Sequence, residues 1–168
     1  MDLLDLMKSG FSVLEYGNIP VEQEKVDKII KAALDAPTAC NNQPQRIKII
    51  ADDEGRRKLN NVIPSRYYVP LAFIVCYDKS KSWIRRMDNK NSGEIDASIT
   101  ATHMILEATE LCLGSLWAMY WDPEKMKKEF ELEADIEPVA LILAGYKSKE
   151  AKPRKGHYES LSESDILI

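Results

Sequence analysis

A chain of 168 residues, 45% hydrophobic and 30% charged, has the make-up of one globular domain that buries roughly 70% of its unfolded surface. Its net charge of −4 and lack of a long basic block exclude non-specific nucleic-acid binding as the main task. Apolar runs too short to cross a bilayer, and an N-terminus unlike a signal peptide, predict a cytoplasmic protein with no membrane partner.

Residues 2–9 read as a short helix with Leu3, Leu4, Leu6 and Met7 on its apolar side. Residues 22–34 predict a longer one. Glu22 and Glu24 suit its N-terminal dipole end, and Val26, Ile29, Ile30, Ala33 and Leu34 fall on one face. Residues 46–50, Arg-Ile-Lys-Ile-Ile, read as a strand, and 53–61 as a short polar helix. Residues 64–70 form a loop with Arg66, Tyr67 and Tyr68, aromatics that read as surface packing rather than a pocket wall. Residues 71–77 are nearly all apolar and predict a central strand buried on both faces.

Residues 78–93 are charged and polar, with Trp83, Arg85 and Arg86. They read as a mobile surface loop or as a substrate-facing lid. Residues 94–113 are the longest helix. Ile95, Ile99, Thr102, Leu106, Thr109 and Leu113 mark one side, and Ala97, Ala101, Met104, Ile105 and Ala108 cover much of the rest, as in a core helix. Its small residues suit close approach of another helix, and the same helix suits a dimer axis. Gly114 is the expected stop. Residues 115–121 read as a short strand or extended turn. Asp122, Pro123 and Glu124 supply an N-cap, a first-position proline and a first-turn acid for a helix to about Phe130. Residues 138–145 are the third clear strand, and a charged tail carries Lys152-Pro153-Arg154-Lys155.

Cys40, Cys76 and Cys112 are odd in number and widely spaced, which argues against a disulfide framework or a cysteine zinc site. Cys76 and Cys112 are expected in the core. His103 and His157 have no ligand spacing, so no metal is expected. His103, on a mostly apolar helix, reads as a satisfied buried histidine.

Residues 36–46 fit neither helix nor strand. Pro37 biases Ala36 out of the helical region, and Pro44, lacking an N–H, delays the following strand. Between them stand Asn41, Asn42 and Gln43, three side-chain amides that each offer donors and an acceptor. Composition alone suggests a solvated turn. The order of the residues suggests a polar pocket for a flat heterocycle.

Pro37, Thr38, Ala39, Asn41, Gln43 and Pro44 after a helix resemble the flavin-binding signature of the nitroreductase family. Leu113-Gly114-Ser115-Leu116-Trp117, the Asp122-Pro123-Glu124 helix start and the Glu137–Tyr146 strand are similar to family segments in the same order. The resemblance implies an α+β fold, with a mixed or antiparallel sheet wrapped by helices, one domain over 1–168, and a homodimer with FMN at the subunit interface. It implies an amide cluster from Thr38, Asn41 and Gln43, beside Pro37 and Ala39. Trp117 would form part of an apolar wall. The backbone N–H of Met119, or of a neighbour such as Ala118, would face flavin N5. Arg154 and Lys155 resemble the family's basic pair at the flavin phosphate.

Ser12 matches the family's Arg-x-Ser-x-Arg, but Gly10 and Leu14 stand where the arginines would be. Lys8 is the candidate substitute for their charge. Met119 and Cys112 also replace common glycines. The implied activity is ping-pong: NAD(P)H donates a hydride and leaves, and a nitroaromatic or quinone takes the electrons in the same pocket. No side chain need act as acid or base, and no Gly-x-Gly-x-x-Gly marks a separate nicotinamide site. The missing arginines motivate a rival, a ligand-binding or interaction module on the same fold. A flavin enzyme with another reaction, such as dehalogenation or flavin destruction, is a further alternative.

Overall fold

The structure, a computed structural model, describes residues 2–64 and 68–168. Arg66 and Tyr67 of the aromatic loop lie outside the described residues, and Tyr68 is exposed. The first half contains α1 (Leu3–Ser9), α2 (Gln23–Leu34), β1 (Gln45–Ile50), α3 (Asp53–Val62) and β2 (Leu71–Asp78). A small hairpin follows, β3 (Ile84–Arg85) and β4 (Lys90–Asn91). Then come α4 (Gly93–Glu110), β5 (Gly114–Ala118), α5 (Pro123–Glu129), β6 (Ile136–Gly145) and α6 (Glu163–Ile166). Two single 3-10 turns, Ala39–Asn41 and Lys155–Tyr158, lie in the amide loop and the tail.

The main sheet has the order β1-β2-β6-β5, and each neighbouring pair is antiparallel. The expected α+β fold is present, and of the two sheet types expected this is the antiparallel one. A parallel bridge from Ser12 to Ser115 lays the chain after α1 along the start of β5. β2 is buried over nearly its whole length, because helices cover both faces of the sheet. On one face Ala97, Ala101, Met104 and Ala108 of α4 and Val26, Ile29 and Ala33 of α2 pack on Phe73, Val75 and Ile142. On the other, Leu59 and Val62 of α3 and Met126 of α5 pack on Ile74 and Leu141, together with Val13 and Tyr16.

The end of α4 departs from expectation. Its stop is Cys112, at φ 62°, not Gly114. The Cys112 N–H donates to the Thr109 carbonyl and the Leu113 N–H to the Ala108 carbonyl, the two bonds of a Schellman cap. Gly114 serves close packing instead, since a Cβ there would lie 2.7 Å from Val13 Cγ2. The cap turns the Cys112 side chain outward, so it is exposed, contrary to the core placement expected. Cys76 is buried as expected, and burial pushes its thiol up to about 12. A left-handed backbone strains a cysteine and not a glycine. Cys112→Gly is therefore expected to raise stability by about 1 kcal/mol, read as a higher urea midpoint with unchanged slope.

Two further expectations change. Residues 78–93 are not one irregular loop: Asp78 belongs to β2, and the β3–β4 hairpin closes with the Ser92 N–H on the Trp83 carbonyl (2.9 Å). His103 is half-buried rather than buried, and lines a groove between α1, α2 and α4.

Glu137 on β6 joins Lys79 and Lys127, each at 2.6 Å. Burial works to raise its pKa, and the hydrogen bonds from the two lysines outweigh it, so the net shift is downward. A depressed carboxylate contributes stability above its ordinary value, about 4.5, and loses it as pH falls through the folded-state value. The urea midpoint should therefore drop on acidification below that point, and less steeply in Glu137→Gln.

Candidate functional site

The amide loop is held in a shape that its residues do not prefer. Cys40, Asn41 and Gln43 have φ values of 52°, 55° and 51°. Each left-handed residue costs roughly 1 kcal/mol, less for asparagine. Local hydrogen bonds offset that cost. The Asn41 and Asn42 N–H groups donate to the carbonyls of Thr38 and Ala39 (3.0 and 3.1 Å). The Gln43 N–H donates to Thr38 Oγ1 (3.1 Å), and Gln43 Nε2 to the Asn41 carbonyl (3.3 Å). Thr38 is thus a brace for the loop, while Asn41 and Gln43 stand exposed at its surface. Pro37 is exposed, and Thr38 and Ala39 are half-buried.

A residue not singled out in the sequence anchors the loop from below. Asp96, in the first turn of α4, is 2% exposed. Its Oδ1 accepts the Ala39 N–H (2.9 Å), and its Oδ2 accepts the Ser92 hydroxyl (2.8 Å). An acid in a helix's first turn ordinarily reads as a dipole partner, which hides this second task.

Several of the remaining candidates gather at the other end of α4. Gly10, Ser12, Ser115, Trp117, Leu106 and Thr109 line a cleft of about 210 Å³. A Cβ on Gly10 would lie 3.3 Å from Thr109 Oγ1. Ser12 is exposed and Trp117 half-buried. The Trp117 indole N–H points to Met119 Sδ (2.9 Å), and the Ala118 carbonyl accepts the Trp121 indole N–H (2.9 Å). Met119 follows β5 and is 62% exposed.

Arg154 and Lys155 are exposed at the start of the tail's 3-10 turn. That turn leans on the segment beside Ser12, with the His157 and Phe11 rings 6.0 Å apart. Lys147, a cation not picked out from the sequence, lies 5.3 Å from the Phe11 ring centre. Lys8 is exposed in the last turn of α1.

One chain therefore does not bring the candidates together. Asp96 and Thr109 mark the two clusters and stand thirteen residues apart, about 20 Å along a helix. A larger groove of about 640 Å³ beside Arg56 and Arg57 contains none of the predicted site residues, but Tyr68, expected to be surface packing, lines it.

Among the described residues, α4 also keeps a side that belongs to neither core cluster. Ile95 is 51% exposed, Thr102 is exposed, and Ile99 and Leu106 are half-buried. Their spacing of four, three and four residues is that of a seam for another helix. Leu3, Leu4 and Met7 of α1 are exposed as well.

The nitroreductase family model matches residues 11–67 and 69–146, and the chain belongs to the nitroreductase family. A crystal structure of a nitroreductase family protein from Clostridium difficile 630 is similar over 100% of this chain and 98% of that one, with 39% identity and a TM-score of 0.93. An FMN-dependent nitroreductase from Clostridium difficile R20291 is 28% identical, covers 97% of this chain and 94% of its own, and has a TM-score of 0.72. The FMN reductase [NAD(P)H] of Bacillus subtilis is 24% identical over 93% of this chain and 73% of its own length. No helix among the described residues is long and apolar enough to cross a membrane.

Proposed function

We propose that two copies of this chain form an FMN-dependent oxidoreductase that takes electrons from NAD(P)H and passes them to a nitroaromatic or quinone. The observation that carries this reading is the separation of the candidates to opposite ends of α4. If two copies pair antiparallel along the seam, the loop of one meets the cleft of the other, twice by symmetry. The cleft of one chain, about 210 Å³, is below the roughly 300–1,000 Å³ of pockets that enclose a ligand of this size.

The donor set fits FMN. Asn41 and Gln43 offer amide donors and acceptors to the polar edge of the ring, on a backbone already fixed by Thr38 and Asp96. Trp117, which lines the cleft, walls the ring, and the backbone at Ala118 and Met119 follows it directly in the chain. Ser12 and the cations Arg154, Lys155 and Lys8 would take the phosphate, with Lys147 nearby. When bound, FMN supplies hydride acceptance at N5 and electron delivery to the second substrate. The protein's part is to orient the ring and to exclude water between two chains.

The test is the visible spectrum after mixing with FMN and desalting. Flavin bands at about one per chain, lost in Asn41→Ala, support the reading. No retained flavin, even at low salt where a phosphate contact is strongest, contradicts it. The rival reading, a ligand-binding module on this fold, draws on positions 10 and 14. Neither Gly10, which has no side chain, nor Leu14 supplies a cation there. That rival predicts no FMN retention.

A further inference from the structure

We infer that Asp96 is a positioning residue for the flavin loop, setting the shape in which Asn41 and Gln43 meet their ligand. The inference rests on the FMN reading above. Three left-handed residues within four positions, none of them glycine, do not hold that shape by local preference. The internal hydrogen bonds of the loop close it on itself but do not fix where it sits. The Ala39 N–H to Asp96 Oδ1 bond ties the start of the strained segment to α4. Asp96 Oδ2 takes the Ser92 hydroxyl, so the same carboxylate joins the loop to the foot of the β3–β4 hairpin. A carboxylate that is 2% exposed stays favourable only while such donors surround it. Removing it frees the start of the loop, whose far end stays tied by the Asp78 N–H on the Pro44 carbonyl and by Arg46 on the Gln43 carbonyl, and leaves the Ala39 N–H without its acceptor.

Three variants separate positioning from simple support of the fold. Asp96→Ala removes the acceptor. Asp96→Asn keeps an oxygen for the Ala39 N–H, and the Ser92 hydroxyl can turn to accept from the new amide. Ala39→Pro deletes the donor and follows Thr38, whose extended backbone (φ −133°, ψ 157°) is compatible with a following proline. FMN binding by flavin-fluorescence quenching is read beside amide hydrogen exchange of the flavin-free protein.

Asp96→Ala and Ala39→Pro should weaken FMN at least tenfold, and Asp96→Asn by less than threefold. Exchange should rise over residues 38–43 in the first two, with β2 and β6 unchanged. Wild-type FMN affinity in both disruptive variants would overturn the inference. So would faster exchange across the whole chain in Ala39→Pro, or no change in the loop. If wild-type protein binds no FMN, the oxidoreductase reading falls, and loop exchange alone decides the role of Asp96. Failure of Asp96→Ala to fold leaves the decision to Ala39→Pro and Asp96→Asn.

Discussion

Ile99→Asp is expected to yield a folded monomer that retains no FMN. Ile99 belongs to neither core cluster and stands mid-seam on the outer side of α4, between Ile95 and Thr102. A carboxylate there is solvated in one chain and buried without a partner between two. Burying an unpaired charge costs several kcal/mol, and a twofold axis repeats the cost on the facing helix. Each 1.4 kcal/mol is a factor of ten, so both dimerisation and FMN affinity should weaken by about 100-fold or more. Sedimentation and flavin titration on the same sample should move together. A chain with wild-type helical signal, monomeric and still holding FMN, would place the whole site within one copy.

Phe73→Ala is expected to be the most destabilising single truncation, costing about 3–5 kcal/mol. Phe73 is fully buried in β2, in the same core cluster as Met104 and Ala101 of α4. Its strand is paired on both sides, with Ile49 and Ile142 in register. Neither neighbour can close a phenyl-sized gap without breaking a ladder. A domain of this size has about 5–15 kcal/mol in total, so the loss is a large share of it. The urea midpoint should fall accordingly. A cost below about 1.5 kcal/mol would mean that α4 collapses onto the sheet, which the alanine contacts do not suggest.

Where the chain announces its own boundaries, sequence and structure agree. Pro44 delays β1 to Gln45, and Asp122 caps α5 by accepting the Lys125 N–H (3.1 Å) ahead of Pro123. The apolar run of β2 has no alternation because both faces are covered. Elsewhere the deciding physics is not local. Cys112 adopts the left-handed cap that a reading of residue types assigns to Gly114, because tertiary packing reserves Gly114 for Val13. The β3–β4 hairpin has too few residues for a strand pattern.

In the tail, Ser162 and Asp165 form a reciprocal cap for α6, a helix of 4 residues that is too short to show a helical period. The amide loop was legible because its residue order is distinctive. Its support was not. Asp96 resembles any acid at a helix start, and only burial sets it apart. Nor does spacing tell that Ser12 and Asn41 lie at opposite ends of one helix.

That separation is tested most directly by subunit mixing. Asn41→Ala damages the loop, and Ser12→Asp puts a negative charge where the phosphate is proposed to sit. Each variant alone should retain little FMN. Unfolded together and refolded as a mixture, random pairing places an intact loop opposite an intact cleft at about one site in four. This fraction is expected to bind FMN with wild-type affinity. Retention no greater than in the two variants refolded separately would contradict a site shared between two copies.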